Sequence, residues 1–329
     1  MSDFISTPRL DSYEKILKLT KPNQIMRAYC WNIAVSAALY PIIQTLEVTL
    51  RNALDMAVRN HHSPVPSSGK PSYIGQPLWF KLMITEKQDS AIARMNSHQQ
   101  SKWISSTGAR KRYNFSEEQL RKVEKDISRY KARVLPEDIL SNVPFGFWTT
   151  LLGKDYEDLT NKHLLWPNLF HNVFPNAPIG YTRNDIEMEF NIVREFRNRF
   201  AHHEPVWKFF DRNPINNKID YGKPIHGLVA SLNLLDKQYD RMLNIISWMS
   251  QDAYNSFLTS NMHIEFKKLC SLDGFYAYVN KEKISKKQPR SKARREIFKL
   301  IDNYKGDQIL YVKTHKKRGI ILGINEPQI

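Results

Sequence analysis

Apolar residues recur at helical spacing along much of this chain. The clearest case is the segment 22–60, whose second half repeats an apolar side chain every four residues, at Leu46, Leu50, Leu54 and Val58. Pro41 lies inside this segment and predicts a kink or a new helix start, because a proline ring disrupts a helix interior. The pattern therefore predicts a long helix, interrupted at Pro41, with one apolar stripe.

The remaining helical patterns cover, in chain order, residues 12–19, 116–134, 184–204 and 227–261. The second of these begins with a capping box formed by Ser116 and Gln119. The third must stop close to Glu204, because Pro205 disfavours the helical conformation in the residue before it.

Between these segments the helical pattern breaks. Residues 61–76 are rich in proline, glycine and serine, which is typical of a loop. Residues 136–180 are aromatic and proline-rich and favour short helices separated by turns. Two apolar runs at 309–312 and 320–324 flank a basic turn and predict a small β-hairpin.

These elements predict a mainly α fold. We expect a helical bundle over residues 1–265, with an insertion over about 61–180. A small basic C-terminal appendage covers 266–329 and contains the predicted hairpin.

The net charge of +16 and a pI near 9.6 favour a polyanionic partner, with nucleic acid first. The excess lies in two stretches: residues 102–133 hold ten basic and four acidic side chains, and 281–329 hold 14 and five. A solvated surface kept for solubility explains either stretch equally well. The candidates for contacts with a phosphate backbone are Arg110, Lys111, Arg112, Arg294, Arg295, Lys316 and Lys317.

Cysteine content and the N-terminus favour a cytoplasmic protein. Cys30 and Cys270 are the only cysteines, too few for a disulfide framework and consistent with a reducing compartment. The N-terminus carries charges and Pro8 where a signal peptide needs an apolar run. Residues 28–50 are the most apolar stretch, but polar residues interrupt it, so we expect a buried helix and no membrane association.

Several catalytic signatures are absent from the sequence. It contains no GxxxxGK[ST], GxGxxG, HExxH or GxSxG motif and no DxDxG calcium loop. His61 and His62 lie in the proline- and serine-rich loop without a nearby pair of carboxylates. We therefore expect neither a metal site nor a cofactor.

One short segment, 197–203 with the sequence RNRFAHH, concentrates polar and cationic side chains at the end of an amphipathic helix. Asn198 and His202 share a face, whereas Arg197 and His202 diverge by about 140° on an ideal helix, and they meet only at a ligand across the helix end. Arginine offers a planar fork of donors to a phosphate, and histidine titrates near neutral pH. Capping of the helix C-terminus explains one such residue equally well.

The sequence RNRFAH at 197–202 fits the Arg-x4–6-His motif of the HEPN-domain ribonucleases, and RNRFAHHEPVW resembles the Abi family within that superfamily. These are abortive-infection proteins of bacterial phage defence, and the chain resembles their AbiD/AbiF-like type. LEVTLRNAL at 46–54 is similar to the family's LExxLRNxL helix, and VPFGFW at 143–148 to its xxFGFW segment. The landmarks cover about residues 8–250 in the family's order.

The resemblance implies a HEPN-type helical bundle and a metal-independent endoribonuclease that acts as a toxin in an anti-phage system. By position, His202 acts as general acid or base, Arg197 holds the scissile phosphate, and Asn198 positions the phosphate or His202. The nucleophile of such a reaction is a ribose 2′-hydroxyl. RNA is then the substrate, and the products carry 2′,3′-cyclic phosphate and 5′-hydroxyl ends.

The resemblance also implies supporting residues and partners. Glu47, Arg51 and Asn52 would line the same site, although a buried ion pair that specifies helix packing explains them as well. His203 is expected to be supporting or exposed. The family's sites commonly meet across a homodimer, in which the apolar stripe of the 184–204 helix is available to pack, and an antitoxin or small regulatory RNA is a further expected partner.

Two other functions remain open at this point. In the first, the same Arg/His cluster only clamps a phosphate, and the protein is a non-catalytic RNA-binding partner of a structured small RNA. The second is a basic DNA-binding regulator, against which the charged stretches show no helix-turn-helix spacing.

Overall fold

The fold is mainly helical, as the sequence predicts. The computed structural model describes residues 5–213 and 219–280, the position of Arg295, and the backbone of two strands, Leu310–Lys313 and Gly319–Leu322. Within these residues the chain forms thirteen α-helices and two antiparallel pairs of strands, which confirms the mainly α class.

The helices are α1 Thr7–Leu17, α2 Pro22–His61, α3 Trp79–Ala93, α4 Ser97–Gln100, α5 Phe115–Ser128, α6 Pro136–Asn142, α7 Phe145–Thr150, α8 Phe170–Val173, α9 Arg183–Ala201, α10 Leu228–Met249, α11 Gln251–Leu258, α12 Asn261–Leu269 and α13 Leu272–Val279. The strands are β1 Phe210–Arg212, β2 Ile219–Pro224, β3 Leu310–Lys313 and β4 Gly319–Leu322. Strand β3 pairs antiparallel with β4, which confirms the predicted C-terminal hairpin.

The chain divides into two compact units. The first contains Met1–Gln44, Phe196–Leu243 and Tyr254–Ile329, and the second contains Thr45–Glu195 and Asn244–Ala253. The boundaries between them fall inside α2, α9, α10 and α11. The predicted division of the chain at residue 265 stays a prediction.

Aromatic side chains form much of the core of the first unit. Tyr13 of α1 meets Trp207 edge to face at 5.0 Å, and Trp31 of α2 meets Phe275 in the same way at 5.0 Å. The Trp31 indole N–H donates to the carbonyl of Leu269 at 2.9 Å, so this large side chain is buried without losing its hydrogen bond. These contacts join α1 to the segment after α9, and they join the first part of α2 to α12 and α13.

The second unit has a larger aromatic core. Phe80 of α3 packs edge to face against Phe147 and Trp148 of α7, at 6.0 and 5.7 Å. Phe190 of α9 packs against Phe174 at 6.3 Å. The predicted apolar stripe of this helix comprises Ile186, Phe190, Val193 and Phe200. The first three are buried inside a single chain and do not face a second copy, whereas Phe200 is half-buried. The homodimer itself stays a prediction.

Helix α2 shows no new helix start at Pro41, although such a start is one of the two outcomes predicted there. The helix continues through Pro41 as one element of 40 residues, with no new start. The buried side chains on both sides of the proline, including Leu39 and Ile42, pack in the protein interior. Tertiary packing thus outweighs the local cost of a proline inside a helix.

Helix α5 begins two residues earlier than the capping box predicts. Asn114, not Ser116, is the N-cap: its side chain accepts from the N–H of Glu117 at 2.9 Å, and the Glu117 carboxylate accepts from the N–H of Asn114 at 3.1 Å. Ser116 is instead buried and accepts a hydrogen bond from Tyr156. The helix ends at Ser128, so Tyr130 lies beyond it and is exposed.

The long helix predicted over 227–261 is two helices. α10 ends at Met249 and α11 begins at Gln251. The backbone N–H of Ser250 still bonds to the carbonyl of Ile246, and its hydroxyl accepts from the N–H of Ala253 at 3.2 Å, which starts the next helix. Serine is a good N-cap, and here Ser250 separates α10 from α11.

By length and composition alone, α2 could cross a membrane, and it is the one described helix of which this is true. Within its most apolar window 39% of the residues are buried inside the protein, and the core helix of a soluble protein passes the same test. Trp31, Leu46 and Leu54 have no exposed surface, as expected of a buried helix. The absence of membrane association stays a prediction.

Candidate active site at the end of helix α9

The RNRFAHH segment forms the last turn of α9 and the reversal that follows it. The N–H of Glu204 bonds to the carbonyl of Arg199, and the N–H of His203 bonds to that of Phe200, both at 3.0 Å. His203 has φ +57°, the left-handed conformation that this C-terminal capping pattern requires. The helix therefore ends at Ala201, three residues before the predicted stop, because the cap itself occupies residues 202–204.

Arg199 holds the segment that follows the helix. Its guanidinium Nε donates to the Glu204 carboxylate at 3.1 Å, and Nη2 donates to the carbonyls of Pro205, at 3.2 Å, and of Lys208. The same group lies over the rings of Phe209 and Phe210 at 5.8 and 5.7 Å. Only 12% of the Arg199 side chain is exposed, so this arginine has a structural role.

Three further contacts fix that segment from α1 and α2. Asn32 accepts the backbone N–H of Val206 at 3.0 Å, and Lys208 donates to the Ser12 hydroxyl at 3.2 Å. Trp207 is fully buried against Tyr13. Burial, together with the nearby Arg199, lowers the pKa of Lys208. The surroundings of the motif are therefore rigidly defined by contacts within the first unit.

Arg197, Asn198 and His202 differ from Arg199. Asn198 and His202 are exposed, Arg197 is half-buried, and none of the three side chains has a hydrogen-bond or ion-pair partner among the residues that the structure describes. The backbone N–H of His202 bonds to the carbonyl of Asn198 at 3.0 Å, which keeps these two residues one turn apart on one face.

Ala201 lies between the two charged positions. At about 100° per residue, it is about 40° from Arg197 around the helix, while His202 is about 140° from Arg197 on the same side. Ala201 is exposed and carries only a methyl group. A ligand that rests on Ala201 can therefore be reached by Arg197 from one side and by His202 from the other.

The predicted supporting residues of α2 belong to the second unit. Glu47 and Arg51 are half-buried, and Asn52 is exposed. Arg51 Nη1 donates to the carbonyl of Leu140 at 3.4 Å, and its buried Nε has no hydrogen-bond partner within the described chain. Inside that unit Arg51 thus ties α2 to α6.

A family model described as Abi-like protein matches residues 3–208, well over half of the chain. The chain belongs to the Abi-like protein family. It is accordingly related to the abortive-infection proteins. The match ends directly after the segment that Arg199 holds. Neither the curated proteins nor the solved structures give a significant match.

In this Abi-like protein two of the predicted phosphate-binding residues are engaged with other groups of the chain. Arg110 pairs with Asp89 at 2.6 Å and with Glu117 at 3.1 Å, and only 16% of its side chain is exposed. Lys111 donates to the carbonyl of Ser101 at 2.9 Å, whereas Arg112 is exposed and without a partner in the described chain. Arg295 is exposed, and Arg294, Lys316 and Lys317 lie outside the described residues.

The second unit of the Abi-like protein contains a buried polar network that the sequence does not predict. His62 accepts the N–H of Tyr73 at 3.0 Å and bonds to the carbonyl of His163 at 2.8 Å. The Tyr73 hydroxyl donates to Glu86 at 2.6 Å, and His163 Nε2 lies 3.2 Å from the same carboxylate. These partners are distant in sequence, so only the fold brings them together.

This network shifts the ionisation of its members. Burial lowers the pKa of both His62 and His163 and raises that of Tyr73. Burial opposes ionisation of Glu86, but hydrogen bonds from Tyr73 and Lys70 outweigh it and lower its pKa. Among the residues that the structure describes, no group of three or more His, Cys, Asp or Glu side chains is arranged to hold a metal ion.

Proposed function

We propose that this Abi-like protein is a metal-independent endoribonuclease, of the HEPN type, that acts as a toxin in abortive infection. The proposal rests on one observation: Arg197, Asn198 and His202 remain unpartnered on a rigid helix end, while neighbouring Arg199 is fully engaged. The helix dipole favours a cationic side chain at a helix C-terminus, but it does not require both a guanidinium and an imidazole there without side-chain partners. This combination does suit a site that receives a phosphate from solution.

Each residue has a defined task in the proposed reaction. His202 takes the proton of a ribose 2′-hydroxyl, whose oxygen attacks the adjacent phosphorus. The bond from phosphorus to the 5′-oxygen breaks, and a protonated histidine returns a proton to that leaving oxygen. Arg197 binds the non-bridging oxygens, where negative charge develops, and Asn198 orients the phosphate. The products are a 2′,3′-cyclic phosphate and a 5′-hydroxyl.

A homodimer is part of the proposal, because two copies supply one histidine as base and another as acid. Ile186, Phe190 and Val193 are buried inside their own chain, so the contact between copies uses other residues. The net charge of +16 supports RNA as the ligand, since each basic side chain that neutralises a phosphate releases a counterion. Cytoplasmic RNA is the expected target, and an antitoxin or a small RNA is the expected inhibitor.

Expression in bacterial cells tests the proposal. We expect induction of the wild-type chain to slow growth and to create RNA ends that can be ligated only after removal of a cyclic phosphate. His202→Ala should abolish both effects, and His98→Ala, which removes an exposed histidine in the second unit, should leave both unchanged.

The same experiment distinguishes the second function. If wild-type protein creates no new ends but purifies with one structured RNA, and His202→Ala binds that RNA equally well, the protein is a non-catalytic RNA-binding partner. New ends that appear equally with wild type and His202→Ala would place the chemistry elsewhere and overturn the assigned site.

A further inference from the structure

An aromatic pair, with one exposed and one half-buried ring, lies beside the candidate active site. Tyr40 of α2 and Phe200 of α9 stack with ring centroids 6.5 Å apart and planes inclined by 30°. Both residues belong to the first unit, as do Arg197 and His202. Tyr40 is 57% exposed, whereas Trp31, Trp207 and Tyr239 of the same unit have no exposed surface.

Tyr40 makes few contacts within the described residues. Within the described residues its hydroxyl has no hydrogen-bond partner, and Phe200 is the one ring it contacts. A tyrosine that serves the core is buried, as Tyr13 and Tyr239 are in the same unit. Tyr40 instead keeps a large part of its aromatic surface open to solvent.

Helix geometry relates this pair to the phosphate-binding residue. Phe200 follows Arg197 by three residues, so the two side chains are neighbours on the helix surface, with Cβ atoms about 5–6 Å apart. Phe200 is about 60° from Arg197, on the side away from Ala201 and His202. The order around the helix end is therefore aromatic pair, Arg197, Ala201, His202.

That order matches the order of groups along an RNA strand. The scissile phosphate joins two riboses: one supplies the attacking 2′-hydroxyl, and the other carries a base on the opposite side of the phosphate. Bases stack on aromatic side chains whatever their sequence. We propose that Tyr40 and Phe200 form a stacking platform for the base of one nucleotide that flanks the scissile phosphate. This inference rests on the proposed function and adds single-stranded or unpaired RNA as its substrate class.

The platform requires an unstacked base, so double-stranded RNA is a poor substrate. Stacking on one aromatic side chain is worth enough that its loss should lower kcat/KM about tenfold or more, mainly through KM. Tyr40→Phe keeps the ring and should retain activity near that of the wild type. Tyr276→Ala removes another tyrosine of the first unit, 46% exposed, and serves as the matched control.

The experiment measures cleavage of a short single-stranded RNA by four proteins: wild type, Tyr40→Ala, Tyr40→Phe and Tyr276→Ala. Each is tested on the normal RNA and on versions with an abasic nucleotide on either side of the cut. We expect Tyr40→Ala to lose about tenfold on normal RNA and nothing further on the abasic RNA that lacks the stacked base. Circular dichroism and mass in solution are recorded for every variant.

Three results would overturn the platform. If Tyr40→Ala cleaves RNA at the wild-type rate, Tyr40 is not part of a stacking platform, and the proposed function is unaffected. If each abasic RNA lowers cleavage by wild type and by Tyr40→Ala by the same factor relative to normal RNA, no base stacks on Tyr40. A change in mass in solution of Tyr40→Ala, with unchanged abasic response, shows that the aromatic face is a contact between copies.

Failure of the proposed function has a different signature. In that case wild type does not cleave RNA. The affinities of wild type and Tyr40→Ala are then measured for 2′-O-methyl RNA with and without the abasic nucleotide. Weaker binding of Tyr40→Ala only to the RNA with the base present supports the platform independently of catalysis. Equal affinities of wild type and Tyr40→Ala for both RNAs overturn it.

Discussion

The two arginines at positions 197 and 199 show how neighbouring residues of one type take different roles. Arg199 donates to one carboxylate and two backbone carbonyls, and its side chain is almost buried. Arg197 has no partner among the described residues. The motif therefore combines one arginine that maintains the local structure with one that is available to a ligand.

This difference predicts opposite results for two alanine substitutions. Arg199→Ala should lower the free energy of unfolding by about 2 kcal/mol, because a carboxylate and two carbonyls lose their donor. Arg197→Ala should stay within about 0.5 kcal/mol of wild type but abolish RNA cleavage. Urea unfolding of both variants measures the first effect. Equal stabilities of the two variants would contradict the structural role of Arg199.

His203 permits a test of the helix cap. A residue with a side chain in the left-handed conformation costs about 1–2 kcal/mol, and a β-branched residue tolerates it worst. His203→Gly should therefore be as stable as the wild type or up to about 1 kcal/mol more stable, and His203→Val should be less stable than both. Thermal unfolding of the three proteins checks the order. A His203→Val variant as stable as His203→Gly would contradict the assigned cap.

At the scale of elements, the loop that connects α2 and α3 is fixed by buried ionisable side chains. His62, Tyr73 and His163 are almost fully buried, and Glu86 joins two of them. Lys70 donates to the other oxygen of that carboxylate at 3.0 Å. A segment whose composition is typical of a flexible loop is therefore held at a defined position against α3 and the segment before α8.

The lowered histidine pKa values predict how stability depends on pH. Below the usual histidine pKa of 6.5 the unfolded chain takes up protons that buried His62 and His163 do not. The unfolded state then binds more protons, so stability should fall as the pH falls from about 6.5 towards the lower folded values. Unfolding in urea at pH 8 and pH 5.5 measures the loss.

A variant identifies the groups responsible. His163→Gln keeps a polar group near Tyr73 and Glu86 but cannot take up a proton, so its loss between the two pH values should be smaller than that of the wild type. His263, whose pKa burial also lowers, stays in both proteins and cancels in the comparison. The same pH dependence in both proteins would contradict the role assigned to His163.

Much of the helical framework could be predicted from the sequence, and the exceptions have physical causes. α3 was missed because Gln88 occupies a buried position where the pattern needs an apolar residue, and it accepts a hydrogen bond from Asn114 at 2.7 Å. The pair β1 and β2 was missed because β1 has only three residues, too few to show an alternating pattern. Both features depend on partners elsewhere in the chain.

The candidate site could be proposed from the sequence because its residues lie within six positions at the end of one helix and resemble a family motif. Which arginine is free could not be predicted, because the partners of Arg199 include backbone carbonyls after the helix end. From the sequence, Arg110 and Arg112 are equally good candidates for contacts with a phosphate backbone. Their difference arises from Asp89, 21 residues away, which comes close to Arg110 only in the folded chain.

At the scale of the whole molecule, the charge of +16 predicts salt-sensitive binding of RNA. The exposed Arg112 should contribute and the paired Arg110 should not. Arg112→Ala should weaken binding to all RNA sequences alike and reduce the slope of log affinity against log salt by about 1. Affinities measured between 50 and 200 mM salt check this. An unchanged slope would show that Arg112 does not contact the RNA backbone.

In the proposed reaction the end of α9 cleaves RNA without a metal, through His202 and Arg197. The most direct test incubates purified protein with EDTA and a short RNA, alongside the same RNA with a 2′-deoxy nucleotide at the cut. We predict cleavage of the first RNA alone, with a 2′,3′-cyclic phosphate end, and no cleavage by His202→Ala. Cleavage of the 2′-deoxy RNA, or activity that EDTA removes, would contradict the account.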